Sequence, residues 1–187
     1  LRRVRCYQTY VRGRMTIGGW TRKLATNICR FLIAAVFIFS GYVKAIDPLG
    51  TQYKIQDYAE ALHVEAYLPD WASLGASVLL PALEFCIGIF LLFAIHRRTV
   101  SKVLLVFMVV MTPLTLWLAI ANPIKDCGCF GDALVLTNWQ TFYKNVVLLA
   151  AAVVVWRNPL LMVRFISRSN QWIIVNYTAL FILVSSG

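Results

Sequence analysis

Four apolar runs of about twenty residues each constrain this chain more than any other feature. They cover approximately residues 26–46, 72–95, 100–121 and 138–156, with short polar or basic breaks between them. A helix rises 1.5 Å per residue, so about twenty residues cross the roughly 30 Å of bilayer hydrocarbon. Lipid offers the backbone no hydrogen-bond partners, so each run must satisfy its own peptide groups as a helix. Composition agrees: 60% of the 187 residues are hydrophobic and only 14% are charged. Soluble domains are nearer half apolar and a quarter charged. The expected fold is therefore an all-α integral membrane protein, a four-helix transmembrane bundle. A fifth apolar run begins at Gln171-Trp172 and is incomplete at Gly187, which implies a fifth transmembrane helix.

The breaks divide the chain. Residues 1–25 form a basic segment, read as a cytoplasmic anchor to anionic lipid. Residues 26–157 form the four-helix membrane domain, with a cysteine-bearing loop over 122–138. Residues 158–187 form a basic connection, marked by Arg164 and Arg168, and the start of the fifth helix. Asp47-Pro48-Leu49-Gly50 is expected to stop the first helix, since proline and glycine together break helices. Ile55, Tyr58, Ala59, Leu62 and Ala66 recur at helical spacing, so 53–67 reads as a short amphipathic helix on the surface or capping the bundle. Pro113 is expected to kink the third span. No low-complexity tract or internal repeat stands out, and no small-residue cleavage site marks the first run as a secretory signal. The chain reads as a fragment with Met15 as a candidate start, in which case Leu1 to Arg14 carries no function.

The net charge of +10 would suggest nucleic acid in a soluble protein. Here the basic residues lie beside apolar runs, so no nucleic-acid partner is inferred. Seven lysines and arginines precede Thr26, three lie between Arg97 and Lys102, and three between Arg157 and Arg168. All three segments fall on one side of the membrane. The opposite side carries Lys54 and Lys125, with Lys44 and Lys144 just inside the helix ends. Basic loops stay in the cytoplasm, so the N-terminus is placed inside and the cysteine loop outside. The outer side is where disulfides form and persist.

That loop reads Asp126-Cys127-Gly128-Cys129-Phe130-Gly131-Asp132. Residues two apart in a helix face different ways, and in a strand their Cα atoms sit at the outer limit of disulfide reach. A tight turn would bring them closer, and Gly128 permits the positive φ that such a turn needs. A disulfide closed over so few atoms should be strained, and strained disulfides are the reducible ones. Cys127 and Cys129 are therefore a candidate redox pair; a static staple or two unpaired thiols is the plainer alternative. Cys6, Cys29 and Cys86 read as small buried apolar residues.

Glu84 lies near the middle of the second span, where an ionisable group is costly and needs a partner, water or the bundle interior. Lys44 and Lys144 both enter from the outer side and either could reach it. Snorkelling to the interface is favoured for Lys44, whereas for Lys144 it stands level with a functional role. Glu84 and Lys144 are therefore the candidate pair. Asn145 is read as a structural hydrogen-bonding group between helices. Trp71, Trp117 and Trp139 gather toward the outer face with Tyr53, Tyr58, Tyr67 and Tyr143. An ordinary aromatic belt accounts for them. The alternative is a flat apolar pocket near the thiols that admits a quinone, with Phe130, Trp139 and Tyr143 lining it. His63 and His96 fall on opposite sides, so no metal site is expected.

Phe39-Ser40-Gly41-Tyr42-Val43-Lys44-Ala45-Ile46-Asp47-Pro48 resembles the first-helix pattern of DoxX-like membrane proteins, and Leu83-Glu84-Phe85-Cys86-Ile87-Gly88 resembles their second. Asp126-Cys127-Gly128-Cys129-Phe130-Gly131, followed by Trp139 and Lys144-Asn145, resembles the related methylamine utilisation protein E (MauE) group. The resemblance spans roughly residues 31–155 and extends to DoxX-type proteins of Bacteroidetes-like bacteria. It implies a four-helix membrane bundle. For the MauE group it implies maturation of a disulfide-rich periplasmic dehydrogenase subunit, and for DoxX proteins quinone-coupled sulfur oxidation. The fifth span departs from the family pattern, and nothing in the residues points to methylamine itself.

Two readings of function follow. In the first, the chain exchanges thiols and disulfides with a periplasmic protein through Cys127 and Cys129, with a quinone as the candidate electron acceptor. In the second, it is a non-catalytic membrane scaffold or assembly subunit whose disulfide only fixes a docking loop. A transporter built on Glu84 and Lys144 is a weaker third.

Overall fold

The structure is a computed structural model that describes residues 17–61, 69–122, 136–165, 171, 173 and 175–178. Its elements are α1 (Ile17–Ile46), α2 (Pro48–Ala61), α3 (Asp70–Leu92), α4 (Arg97–Ala121), α5 (Asn138–Arg157) and a 3-10 turn at Pro159–Leu161. Four of these are long and apolar enough to cross a membrane: Gly19–Ile46 within α1, then α3, α4 and α5. The all-helical membrane bundle agrees with the hydropathy reading. Val106, Val110, Ile120 and Val147 each expose well over half their surface on the bundle's outside, as lipid-facing residues do. Of the fifth apolar run, only 171, 173 and 175–178 are described, and their backbone is helical.

The helices alternate in direction. The end of α1 lies against the middle of α3, and the start of α1 reaches the end of α5 through Arg22 and Asn158. One end of the bundle therefore gathers the close of α1, the starts of α3 and α5, and the close of α4. Residues 123–135, which carry both loop cysteines, join α4 to α5 there. At the other end, α3 passes to α4 through a short turn in which Ala94 and His96 both take positive φ.

The most extensive packing is between α1 and α3, followed by α4 with α5. Glycine makes the first of these possible. A Cβ at Gly41 would fall 2.7 Å from the Phe85 backbone nitrogen and 2.8 Å from the Pro81 carbonyl oxygen. At Gly88 it would fall 2.9 Å from the Ile38 nitrogen. These neighbours are backbone and cannot step aside, so only glycine admits this approach, as small residues do between membrane helices. The buried face of α1 runs Ile33, Phe37, Ser40, and it turns polar toward the loop end. Leu91, Leu104, Met108, Leu148, Ala152 and Val155 complete the apolar core around it.

Two boundaries differ from expectation. Helix α1 starts at Ile17, well before Thr26, because a helix does not stop where lipid stops; lysine and arginine are good helix formers in the aqueous turns. Asp47-Pro48-Leu49-Gly50 ends α1 but does not hold the chain out of helix, since α2 begins at once. The Asp47 carboxylate accepts the Gly50 N–H at 2.9 Å, so Asp47 caps α2, and Pro48 sits at the first helical position, where no donor is lost. Helix α2 then lies against α3. Gln52 donates to the Ser73 hydroxyl at 3.2 Å and Gln56 to the Asp70 carboxylate at 3.3 Å.

Candidate functional site

Glu84 is buried, and α1 supplies its partners. The Lys44 ammonium donates to both carboxylate oxygens, at 2.9 and 3.0 Å, and the Ser40 hydroxyl donates to Oε2 at 2.7 Å. Ser40 and Lys44 stand one turn apart on one face of α1, on either side of Gly41, whose close approach to α3 brings them within reach. This corrects the ranking of the two lysines, because the ion-pair partner is Lys44 and it does not snorkel. The cause is directional. Side chains on a helix lean toward its N-terminus, and Lys44 sits in the last turn of α1, so its stem leans inward from the membrane surface.

Lys144 enters the same site from α5. With Lys44, Glu84 and Ser40 it lines a cavity of about 180 Å³ between the helices. Asn145, next to it, donates its amide to the Thr115 hydroxyl of α4 at 3.2 Å. The polar groups collect toward the loop end, where Asp47, Thr51 and Lys54 also line the wall. Ile55 and Tyr58 of α2 lie against the same space, and Val36, Phe37, Phe107, Met108 and Leu148 make its deeper walls apolar. The short helix expected over 53–67, on the surface or capping the bundle, corresponds in part to α2, which lines this cavity; Leu62 and Ala66 lie outside the described residues. The Glu84 and Lys144 placements thus converge, with Lys44 as the residue that had been set aside.

The cysteine loop springs from the same end. Asn122 closes α4 in the left-handed conformation, which asparagine tolerates, and its side-chain oxygen accepts from Asn138 at the start of α5 at 2.8 Å. Thr137 and Gln140 form a reciprocal capping box: the Thr137 hydroxyl takes the Gln140 N–H, and the Gln140 side chain takes the Thr137 N–H. Both ends of the loop are thereby fastened to each other and to α5. Cys127, Cys129 and Phe130 themselves lie outside the described residues, as does Cys6. Trp139 and Tyr143 face outward, 49% and 61% exposed, in a ring cluster with Phe142, and neither lines the cavity. Cys29 and Cys86 are free thiols, partly exposed and not fully buried. Among the described residues no three histidine, cysteine or carboxylate groups gather as a metal site.

A second polar centre at the opposite end was missed by sequence reasoning. Arg30 is completely buried. Its guanidinium donates to the Val163 carbonyl at 2.7 Å, to the Leu92 carbonyl at 3.0 Å and to Asn27 at 3.1 Å, with the Phe31 and Phe165 rings against it. Leu92 ends α3, so Arg30 satisfies one of the carbonyls that a helix end leaves open. Arg97 donates to the Leu160 and Met162 carbonyls, and Asn27 holds the Leu161 carbonyl and the Val163 N–H. The segment after α5 is thus strapped across the bundle. The signal was present: an arginine with apolar residues on both sides in Ile28-Cys29-Arg30-Phe31-Leu32 must find a buried partner.

The family model described as methylamine utilisation protein MauE matches residues 22–157. That range holds α1 from Arg22 onward, the whole of α3, α4 and α5, the cavity and the cysteine loop. No curated protein and no solved structure matches the chain.

Proposed function

Because the chain belongs to the family of methylamine utilisation protein MauE, we propose that it is a membrane-embedded thiol–disulfide redox protein that matures a disulfide-rich periplasmic partner. The observation that carries this reading is the Cys127-Gly128-Cys129 sequence in a loop whose two ends are clasped by Asn122 and Asn138. Such a clasp holds the two ends of the loop together. The basic turns lie in the cytoplasm and the cysteine loop in the periplasm of a bacterial inner membrane, as the charge bias directs.

In the oxidising direction, a partner thiolate attacks one sulfur of the Cys127–Cys129 disulfide and the S–S bond breaks, leaving a mixed disulfide and one thiolate. The second partner thiolate attacks the mixed disulfide and leaves with an intramolecular disulfide. Cys127 and Cys129 end as dithiol, having gained two electrons and two protons. A quinone in the bilayer takes both pairs to become hydroquinone and restores the disulfide. The same clasp also favours a second reading, in which the chain is a scaffold and the loop a fixed docking surface.

The two separate on a gel. Cys127→Ser and Cys129→Ser are each expected to abolish partner oxidation, and one of them to trap a mixed disulfide with a periplasmic protein under non-reducing conditions. If both single variants and the double variant assemble and oxidise their partners like the parent, the thiols are not functional and the scaffold reading holds.

A further inference from the structure

We propose that the cavity built on Lys44, Glu84, Ser40 and Lys144 seats the ring of the quinone acceptor. The inference takes its purpose from the thiol reading above, but its test does not depend on it. The sequence suggested a pocket among Phe130, Trp139 and Tyr143. Trp139 and Tyr143 face outward and Phe130 lies outside the described residues, while among the described residues the helices line a cavity deeper in the bundle toward the loop end.

Three properties of that space select the ligand. The first is size. At about 180 Å³ it is smaller than the roughly 300–1,000 Å³ that takes a whole drug-sized ligand, so it suits a ring whose tail stays in lipid. The second is its walls. Phe37 and Phe107 offer aromatic surface, and Met108 and Met111 are flexible and polarizable, which lets them adapt to a flat ring. The third is the polar end. Lys144 and Asn145 bring N–H donors to it, and donors are what the oxygens of a ring being reduced require, because negative charge builds there. Glu84 is already bonded by Lys44 and Ser40, and Lys54 and Lys144 stand on the same wall, so an anionic head group is the competing ligand and is set against the quinone in the test below.

The redox balance closes with this ligand. Two S–H bonds are lost and the Cys127–Cys129 S–S bond forms; the two electrons and two protons end as two O–H bonds on the ring. Lys144 and Asn145 are binding residues in this scheme. Lys44 and Ser40 are positioning residues, which hold the Glu84 carboxylate.

The test is binding of a radiolabelled, short-tailed ubiquinone analogue to the full chain in lipid nanodiscs. Saturable binding is expected, and the Cys127→Ser/Cys129→Ser double variant is expected to bind as the parent does. Lys144→Gln and Thr115→Phe are each expected to weaken binding about tenfold or more, the first by removing a charged donor and the second by filling the space. Their thermal melting is followed in parallel, so that a misfolded variant is set aside and the other decides. Parent-like binding by folded Lys144→Gln and Thr115→Phe would overturn the proposal. So would a comparable loss in Trp139→Ala, which would move the site to the outward aromatics. Displacement of the analogue by palmitate as readily as by unlabelled quinone would also overturn it, giving the cavity to an acyl anion. Failure to trap a mixed disulfide leaves the cavity result standing, so the two claims fail separately.

Discussion

Lys44→Met is expected to destabilise the bundle by about 3 kcal/mol, the scale on which breaking one side of a buried ion pair is felt. The Lys44 and Glu84 side chains are only 13% and 9% exposed, and the carboxylate is held at 2.9 Å. Removing the ammonium takes two short donors from that carboxylate; the Ser40 hydroxyl at 2.7 Å and the charge of Lys144 on the same cavity wall remain. Glu84→Met, conversely, leaves the ammonium stem leaning inward without its counterion. The Lys44→Met/Glu84→Met double variant removes both charges at once and is expected to lose far less than the sum of the single changes. Denaturation in detergent micelles reads all three. Losses that simply add would mean that the two groups are not coupled and that the pair contributes nothing beyond its separate parts.

Arg30→Met is expected to release the strap that follows α5. The methionine keeps the volume of the stem but drops the hydrogen bonds to Val163, Leu92 and Asn27. The Val163 and Leu92 carbonyls then lose a charged donor, at a cost of about 1.5–3 kcal/mol for each such bond. Asn27 and Arg97 still hold Leu160, Leu161 and Met162, so the loss is expected to be local and not a collapse of the bundle. Hydrogen exchange over residues 158–165 should rise sharply in the variant, while exchange in α3 and α4 stays near the parent's. Unchanged protection of 158–165 would show that the remaining contacts alone hold the strap.

The four spans were legible because bilayer thickness and backbone hydrogen bonding admit few alternatives for such apolar runs. The start of α5 was placed at Asn138 from hydropathy alone, and the structure supplies the local reason in the Thr137–Gln140 capping box. Glu84 announced itself as a carboxylate at membrane depth, and the structure gives it buried partners. Which lysine it meets was not legible, because Lys44 and Lys144 are equivalent by composition and depth. Their difference lies in where each sits in its own helix and in how closely Gly41 lets α1 approach α3. Both are properties of paired helices, not of one segment. Asp47 was read as a terminator although the same residue starts the next helix; a cap ends one thing and begins another. Arg30 lies within the first apolar run and was not singled out, although its apolar neighbours require a buried partner for it.

Whether the Cys127–Cys129 pair cycles is read from its reduction potential. Asp126 and Asp132 flank the pair, and their charge disfavours the thiolates, which makes the disulfide less oxidising; Lys125 opposes them. Closure of the ring over a single intervening residue acts the other way, and its strain is expected to win. Equilibration of the full chain with defined thiol–disulfide buffers, read by alkylation of the two cysteines, should place the pair above about −300 mV, within reach of a periplasmic exchange partner. A value well below about −300 mV would mark a bond that stays closed, and would contradict the redox account.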